Sequence, residues 1–229
     1  MEKKAVVLLS GGLDSSTCLG VALNMGYICY CLSFDYGQRH SRELEHAKAV
    51  YSFFSEKYPH LTAEHKVIKI DLRTFGGSAL TDDIPVPDYK ENSQGHVPVT
   101  YVPARNLILL SYAVAFAEVR GCGAVYIGVN AIDYSGYPDC RPQFIKAFEE
   151  AANLATGNGF TKHLKVETPL QNLSKAEIVK LAVKIGVPVE KTWSCYRGGE
   201  KPCGRCDSCV LRLKGFREAG IEDPLQYAL

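Results

Sequence analysis

The sequence predicts an α/β fold: a doubly wound, Rossmann-like and mostly parallel sheet covered by helices on both faces. Three observations carry that expectation. Short β-branched and apolar runs alternate with longer helical patterns, and the runs are hydrophobic almost without interruption. The first run ends directly in a glycine-rich turn. Continuous apolar strands suit a parallel sheet buried on both sides, and strand–helix alternation implies right-handed crossovers. Ligands of such sheets bind beyond the strands' carboxyl ends.

Taken in order, strands are expected at residues 6–9, 28–34, 67–70, 125–129 and 164–167. Helices are expected between them, at 15–24, 41–56, 106–119, 141–154 and 175–185. No repeat or low-complexity tract interrupts the alternation. Residues 76–103 stand apart, rich in Pro, Gly, Asp and Ser with little periodicity. A loop that long inside a compact domain is usually functional or disordered. It reads as a substrate-side excursion or lid, with a surface insertion as the plainer alternative. The expected organisation is an α/β domain over residues 1–192. A Cys-rich and then helical unit, 193–229, packs on it.

Composition narrows the class. Of 229 residues, 46% are hydrophobic and 22% charged, the balance of a folded globular chain. A net charge of +1 gives no case for non-specific nucleic-acid binding or a polybasic membrane contact, although a local basic groove stays open. The N-terminal MEKKAVVLLSGG has no signal-peptide cleavage pattern, and no apolar stretch approaches a membrane span. The expectation is a soluble cytoplasmic enzyme without membrane or nucleic-acid partners. Nine cysteines, an odd number with tight local spacing, argue for metal binding plus free thiols rather than disulfides.

The turn after the first strand reads Ser10-Gly11-Gly12-Leu13-Asp14-Ser15-Ser16 and opens a helix. Two glycines let the backbone approach a ligand, and the first amides of the helix form an anion site. Serine hydroxyls add donors. No lysine follows, so this is not the G-x-x-x-x-G-K-[ST] loop, and the G-x-G-x-x-G spacing is absent too. Asp14 would be repelled by phosphate unless a cation such as Mg²⁺ intervened. A tight turn with helix capping is the plain alternative. Further on, Ser174 and Glu177 form a capping box around Lys175, which is either a phosphate contact or a solvated lysine.

Cys195, Cys203, Cys206 and Cys209 give the spacing C-x7-C-x2-C-x2-C. Four thiolates suit a closed, structural Zn²⁺ site that ties the C-terminal helix to the domain. Three cysteines at two-residue spacing also suit an iron–sulfur cluster, which stays open as the rival. The remaining cysteines read as buried thiols.

Two more polar clusters stand at expected strand ends or helix starts: Phe34-Asp35-Tyr36-Gly37-Gln38-Arg39-His40 and Tyr101-Val102-Pro103-Ala104-Arg105-Asn106. A third runs from Gly128 through Asn130, Asp133, Tyr134, Tyr137 and Asp139 to Arg141. Arg39 could fork onto a carboxylate or phosphate, and the third loop could stack and hydrogen-bond a flat heterocycle. Each residue singly admits a solvated or capping role, Asp139 especially.

The SGGLDSS loop resembles the SGGxDS signature of the PP-loop ATP pyrophosphatases. With FDYGQRH, YVPARN, GVNAIDYSGYPDCRP and WSCY…CGRCDSC in this order, the whole chain looks like the 7-cyano-7-deazaguanine synthase family of queuosine biosynthesis. The resemblance implies that ATP binds along Leu8, Leu9, Ser10, Gly11, Gly12, Leu13, Asp14, Ser15, Ser16, Thr17 and Cys18. It implies catalytic roles for Asp14, Lys175 and Arg105, and a deazapurine site among Tyr36, Gln38, Arg39, His40, Tyr101, Asn106, Asp133, Tyr137 and Asp139. It further implies structural Zn²⁺, Mg²⁺ with ATP, and a homodimer. The implied reaction turns 7-carboxy-7-deazaguanine into the 7-nitrile with ATP and free ammonium. It passes through adenylated acid and amide and releases AMP and pyrophosphate. The alternatives are a PP-loop enzyme that thiolates tRNA and a non-catalytic nucleotide- or zinc-binding protein.

Overall fold

The computed structural model describes residues 2–90, 97–130, 136–157 and 163–228. Five strands, β1 (Lys4–Leu8), β2 (Ile28–Asp35), β3 (Thr62–Lys69), β4 (Ala124–Tyr126) and β5 (Lys165–Glu167), form one sheet in the order β3-β2-β1-β4-β5. Every pairing is parallel. The helices are α1 (Leu13–Asn24), α2 (Arg42–Lys57), α3 (Arg105–Arg120), α4 (Pro142–Ala155), α5 (Lys175–Lys184) and α6 (Asp207–Ala219). This is the doubly wound sheet that the alternation predicts. Among the described residues, no helix is long and apolar enough to cross a membrane.

β1 explains why both faces are covered. Ala5, Val6 and Val7 are wholly buried, and alternate residues enter opposite cores. Val6 and Leu8 join Leu32, Phe34, Leu110 and Val114, whereas Ala5, Val7 and Leu9 join Leu19, Leu23, Val50 and Ile178. At roughly 1.5–3 kcal/mol per fully buried aliphatic side chain, these two layers are the main source of stability.

β3 departs from the expected element. It begins at Thr62, five residues before the apolar run at 67–70. It is an edge strand, and its early residues Glu64, His65 and Lys66 are polar, so no apolar period marks them. Charge on an exposed edge discourages pairing with another chain. β4 ends at Tyr126, short of the expected 129; Ile127 N still donates to Glu167 O at 3.1 Å, and residues 127–130 line the cavity.

The C-terminal segment is bound by a buried ion pair. Arg212 Nε and Nη2 donate to the two Asp223 carboxylate oxygens at 2.9 and 3.0 Å, and both side chains are nearly inaccessible, at 3% and 6% exposure. Arg212 also donates to Thr192 Oγ1 and Val189 O, and Tyr227 donates to Asp223. Each charge is therefore hydrogen-bonded as well as paired, which a buried pair requires.

Candidate active site

The strand order reverses between β1 and β4, and a cavity of about 250 Å³ opens there at the carboxyl ends. One end is lined by Ser10, Gly12, Asp14, Ser15, Asn130 and Lys175, the other by Tyr36, Gln38, Glu43, Arg105, Tyr137 and Tyr196.

The first end is built by the glycine-rich loop. Gly11 has φ of 81°, a left-handed conformation that favours glycine. A Cβ there would lie 2.4 Å from Glu43 O and 2.5 Å from Ala47 N, so its absence lets α2 approach the loop. Gly128 plays the same part on the other flank, where a Cβ would meet Ser15 N at 2.9 Å. The first intrahelical bond of α1 is Ser16 N to Gly12 O, leaving the earlier amides at the cavity end. The loop holds its own shape: Ser10 N donates to Ser15 Oγ at 3.1 Å, and Ser15 Oγ to Gly12 O at 3.1 Å.

Lys175 Nζ reaches Asp14 Oδ1 and Oδ2 at 2.9 and 2.8 Å, joining two residues 161 positions apart. The pair is partly accessible, with Lys175 at 13% and Asp14 at 26%. The capping box is present, with Ser174 accepting from Glu177 N and Glu177 from Ser174 N. Gly215 of α6 supports the lysine, since a Cβ there would lie 2.3 Å from Lys175 Cγ. Asp14 offers carboxylate oxygens to the cavity, a donor type that suits Mg²⁺.

At the second end, Arg105 enters from the start of α3. The preceding Ala104 is left-handed at φ 54°, a strain of about 1–2 kcal/mol for a residue with a Cβ. Tyr101 Oη accepts from Ala104 N at 3.0 Å and holds the turn. Burial opposes the Arg105 charge, but Tyr36, Tyr137, Tyr196 and Asp139 around it keep the guanidinium charged. Its Nη1 stands 3.5 Å from Tyr36 Oη. Tyr137 shares a 2.8 Å hydrogen bond with Thr100 and packs against Tyr101.

Other expected site residues stand behind the wall. Gly11, Ser16, Thr17 and Cys18 are not among the lining residues, and Thr17 donates to Leu13 O within α1. Arg39 donates to Ala79 O and Ile84 O, fastening the 76–103 excursion instead of facing the cavity. His40 packs edge-on to Trp193 and against Gly198. Asp139 is buried and accepts from Asn106 N at 2.9 Å, so it serves the start of α3. Asp133 lies outside the described residues. No described residue of 76–103 lines the cavity; the excursion packs behind it through Val86, Thr100 and Val102.

The cysteine unit is nearer the chemistry than its sequence suggests. Trp193, Ser194, Tyr196, Ser208 and Leu211 line the cavity, and Trp193 N donates to Gly11 O at 2.9 Å. His46 and Arg42 pack on the Trp193 ring. No pattern in the sequence marked these residues, or Glu43, as cavity walls. The four cysteine sulfurs lie within 4.8 Å of one another, with Cys203 and Cys209 4.0 Å apart. Four sulfurs each 2.3 Å from one tetrahedral ion stand about 3.8 Å apart, so the group can hold a metal. Amides of Arg197 and Cys203 donate to Cys195 Sγ, and those of Arg205 and Cys206 to Cys203 Sγ. Hydrogen bonds from Cys206 and Cys209, then from the Cys203 and Arg197 amides, hold Cys195 well below the usual thiol range against burial.

Against known proteins, the family described as Queuosine biosynthesis protein QueC matches residues 4–220. The chain belongs to the QueC family. It is 62% identical over 227 residues to the 7-cyano-7-deazaguanine synthase of Acetivibrio thermocellus, covering 98% of each chain. It is 56% identical to the enzyme of that name from Thermoplasma acidophilum, covering 99% of this chain and 92% of that one. In fold, this QueC chain is similar to a 4-thiouridine synthetase solved with RNA and bound ATP, with a TM-score of 0.56 and 20% identity, over 94% of this chain and 53% of that one. It is similar also to NMN synthetase from Francisella tularensis, with a TM-score of 0.53 and 19% identity, over 96% and 78% of the two chains. These two likenesses show a shared fold, the doubly wound parallel sheet described above.

Proposed function

We propose that this QueC chain is a 7-cyano-7-deazaguanine synthase that carries out both halves of nitrile formation in one cavity. The observation that carries the reading is continuity: the serine–glycine loop, Asp14 and Lys175 share one space with Tyr36, Gln38, Arg105 and Tyr137. A carboxylate is a poor electrophile, and its adenylation supplies a leaving group that ammonia displaces to give the amide. Adenylation of the amide oxygen then allows AMP to leave as the nitrile forms.

In this reading the amides at the start of α1, with Ser10 and Ser15, take the pyrophosphate part of ATP. Asp14 would hold Mg²⁺, which supplies charge neutralisation at the phosphates, and Lys175, freed from Asp14, turns to a phosphate oxygen. Arg105 supplies fixed positive charge to the adenylated group, where preorganised charge is worth most. Tyr36, Tyr137 and Gln38 receive the heterocycle, with Asn106 beside them. Arg39, His40, Tyr101 and Asp139 support that end through the excursion, the cysteine unit and α3. The four cysteines hold Zn²⁺ as a structural ion, and the homodimer implied by the resemblance carries over, with light scattering as its check.

The test is incubation with ATP, Mg²⁺, ammonium and 7-carboxy-7-deazaguanine, followed by mass analysis of the base. The reading expects the nitrile, with AMP and pyrophosphate. AMP release that depends on RNA, or no turnover, overturns it.

A further inference from the structure

Making a nitrile from an amide is a proton problem as much as a leaving-group problem. When the amide oxygen displaces pyrophosphate from the α-phosphate, the nitrogen still carries two hydrogens. One leaves to give the neutral imidate. The other must leave as the C–O bond to AMP breaks, its N–H electron pair becoming the third carbon–nitrogen bond. No oxidant or reductant is needed, but both protons need an acceptor.

Among the described residues lining the cavity, the carboxylates are Asp14 and Glu43, and no histidine is present. Asp14 is engaged through both oxygens by Lys175. Tyr36 and the Cys140 thiol are each pushed up to about 12, foremost by burial, so neither is an ionised base near neutrality. Glu43 differs. Its carboxylate makes no hydrogen bond or ion pair with another described residue.

Its position is fixed by backbone. Glu43 is in the first turn of α2, whose backbone presses on the glycine loop at Gly11, the close approach that only glycine permits. Toward the other end, its charge bears on Tyr36, and Arg105 bears on it. Glu43 therefore stands in the heterocycle end, on the side where α2 meets the phosphate loop, beside where the reacting carbon must lie.

We propose that the Glu43 carboxylate is the base that takes the second nitrogen-borne proton as the C–O bond to AMP breaks; the first, lost as the neutral imidate forms, passes to the departing pyrophosphate. The proposal rests on the nitrile-forming reading above. Burial pushes the Glu43 carboxyl up to about 7, against the opposing pull of Arg105. A base poised near the working pH is the most effective kind. The titratable groups that bear on it are Tyr36, just after β2, and Arg105 at the start of α3, while the Asp14–Lys175 pair lines the same cavity.

The experiment compares wild type with Glu43→Gln, which keeps shape and removes the basic oxygen. Two rates are read: nitrile formed from supplied 7-amido-7-deazaguanine, and pyrophosphate exchange into ATP driven by 7-carboxy-7-deazaguanine, which needs no N–H cleavage. The expected result is a fall in nitrile formation of roughly a hundredfold or more, the scale of general base catalysis, with exchange within about threefold of wild type. A variant that makes nitrile at nearly the wild-type rate, or that loses both rates together while folded, overturns the proposal. Should Glu43→Gln not fold, the wild-type rate from the amide is followed against pH. It should rise through an inflection near 7 as the carboxyl ionises, and a flat profile from pH 6 to 8 overturns the assignment. A wild-type enzyme that makes no nitrile from acid or amide overturns the nitrile reading and this proposal with it, whereas an active wild type beside an unimpaired variant overturns only Glu43.

Discussion

The two ends of the cavity are built in different ways. The phosphate end comes mostly from consecutive residues, Ser10 to Ser15, whose shape is set by two glycines, their own hydroxyls and a helix start. Asn130 and Lys175 arrive from farther along the chain. The heterocycle end has no such local unit. It is assembled from the end of β2, the starts of α2 and α3, Tyr137, and Trp193 to Tyr196 beside the cysteines. The first end should therefore fail in chemistry when altered, and the second through the packing that assembles it.

The largest effect is expected at Asp14. Asp14→Asn removes one charge from a preformed loop and should lower AMP formation by roughly a thousandfold, the scale of several kcal/mol of charge stabilisation. Circular dichroism should stay unchanged. Near-normal turnover in the folded variant would remove Asp14 from the mechanism.

Next comes the opposite end. Asp223→Asn leaves the buried Arg212 charge without its carboxylate and should cost roughly 3–5 kcal/mol of stability in a denaturant titration. Because Arg212 and Trp193 flank the cavity, activity should fall with unfolding and recover where the variant is held folded. A neutral effect on stability would mean that the tail does not brace this wall. Chelation should act in the same way. The cysteine unit clamps the excursion, with Arg197 donating to Val86 O and Asp88 and Tyr89 N donating to Arg205 O. Stripping the metal should make residues 76–90 protease-sensitive before the sheet unfolds; simultaneous loss of both would show one cooperative unit instead.

Gly215→Ala is a finer probe, since it should shift Lys175 without touching Asp14. A displacement of about 1 Å should lower turnover by roughly ten- to a hundredfold, with little change in heterocycle affinity. Turnover equal to wild type would show that α6 does not position the lysine. Smallest is Ser174→Ala, where loss of the cap should cost about 1 kcal/mol in thermal unfolding and raise the KM for ATP by a few-fold.

The same contrast explains what could be read from the chain. The Ser10–Ser16 loop and the cysteine spacing are local patterns with a local physical cause, so sequence located them. The helices fell within about two residues of their observed ends because their apolar faces repeat along the chain. The start of β3 was not legible because an edge strand needs no apolar period, and Glu64 and Lys66 read as loop. Arg39 and Asp139 looked like ligand contacts because polar residues near strand ends often are. Their partners, Ala79 O and Asn106 N, lie 40 and 33 positions away. Glu43 was hidden for the reverse reason: an acidic residue in a helix's first turn has an ordinary local use, and only the close packing of α2 on Gly11 brings it to the cavity.

The central claim is that one cavity handles both acid and amide, and the direct measurement is stoichiometry with each substrate. Given 7-amido-7-deazaguanine, ATP and Mg²⁺ without ammonium, the enzyme should form one nitrile per ATP consumed and release one AMP. Given the carboxylic acid, it should need ammonium and two ATP per nitrile. Acid and amide differ at one polar group, and loss of one hydrogen-bond match costs about 1 kcal/mol in binding, too little to exclude either from a shared pocket. An inert amide beside an acid that proceeds to nitrile would contradict the single-cavity account, as would an acid that stops at the amide with every reagent present.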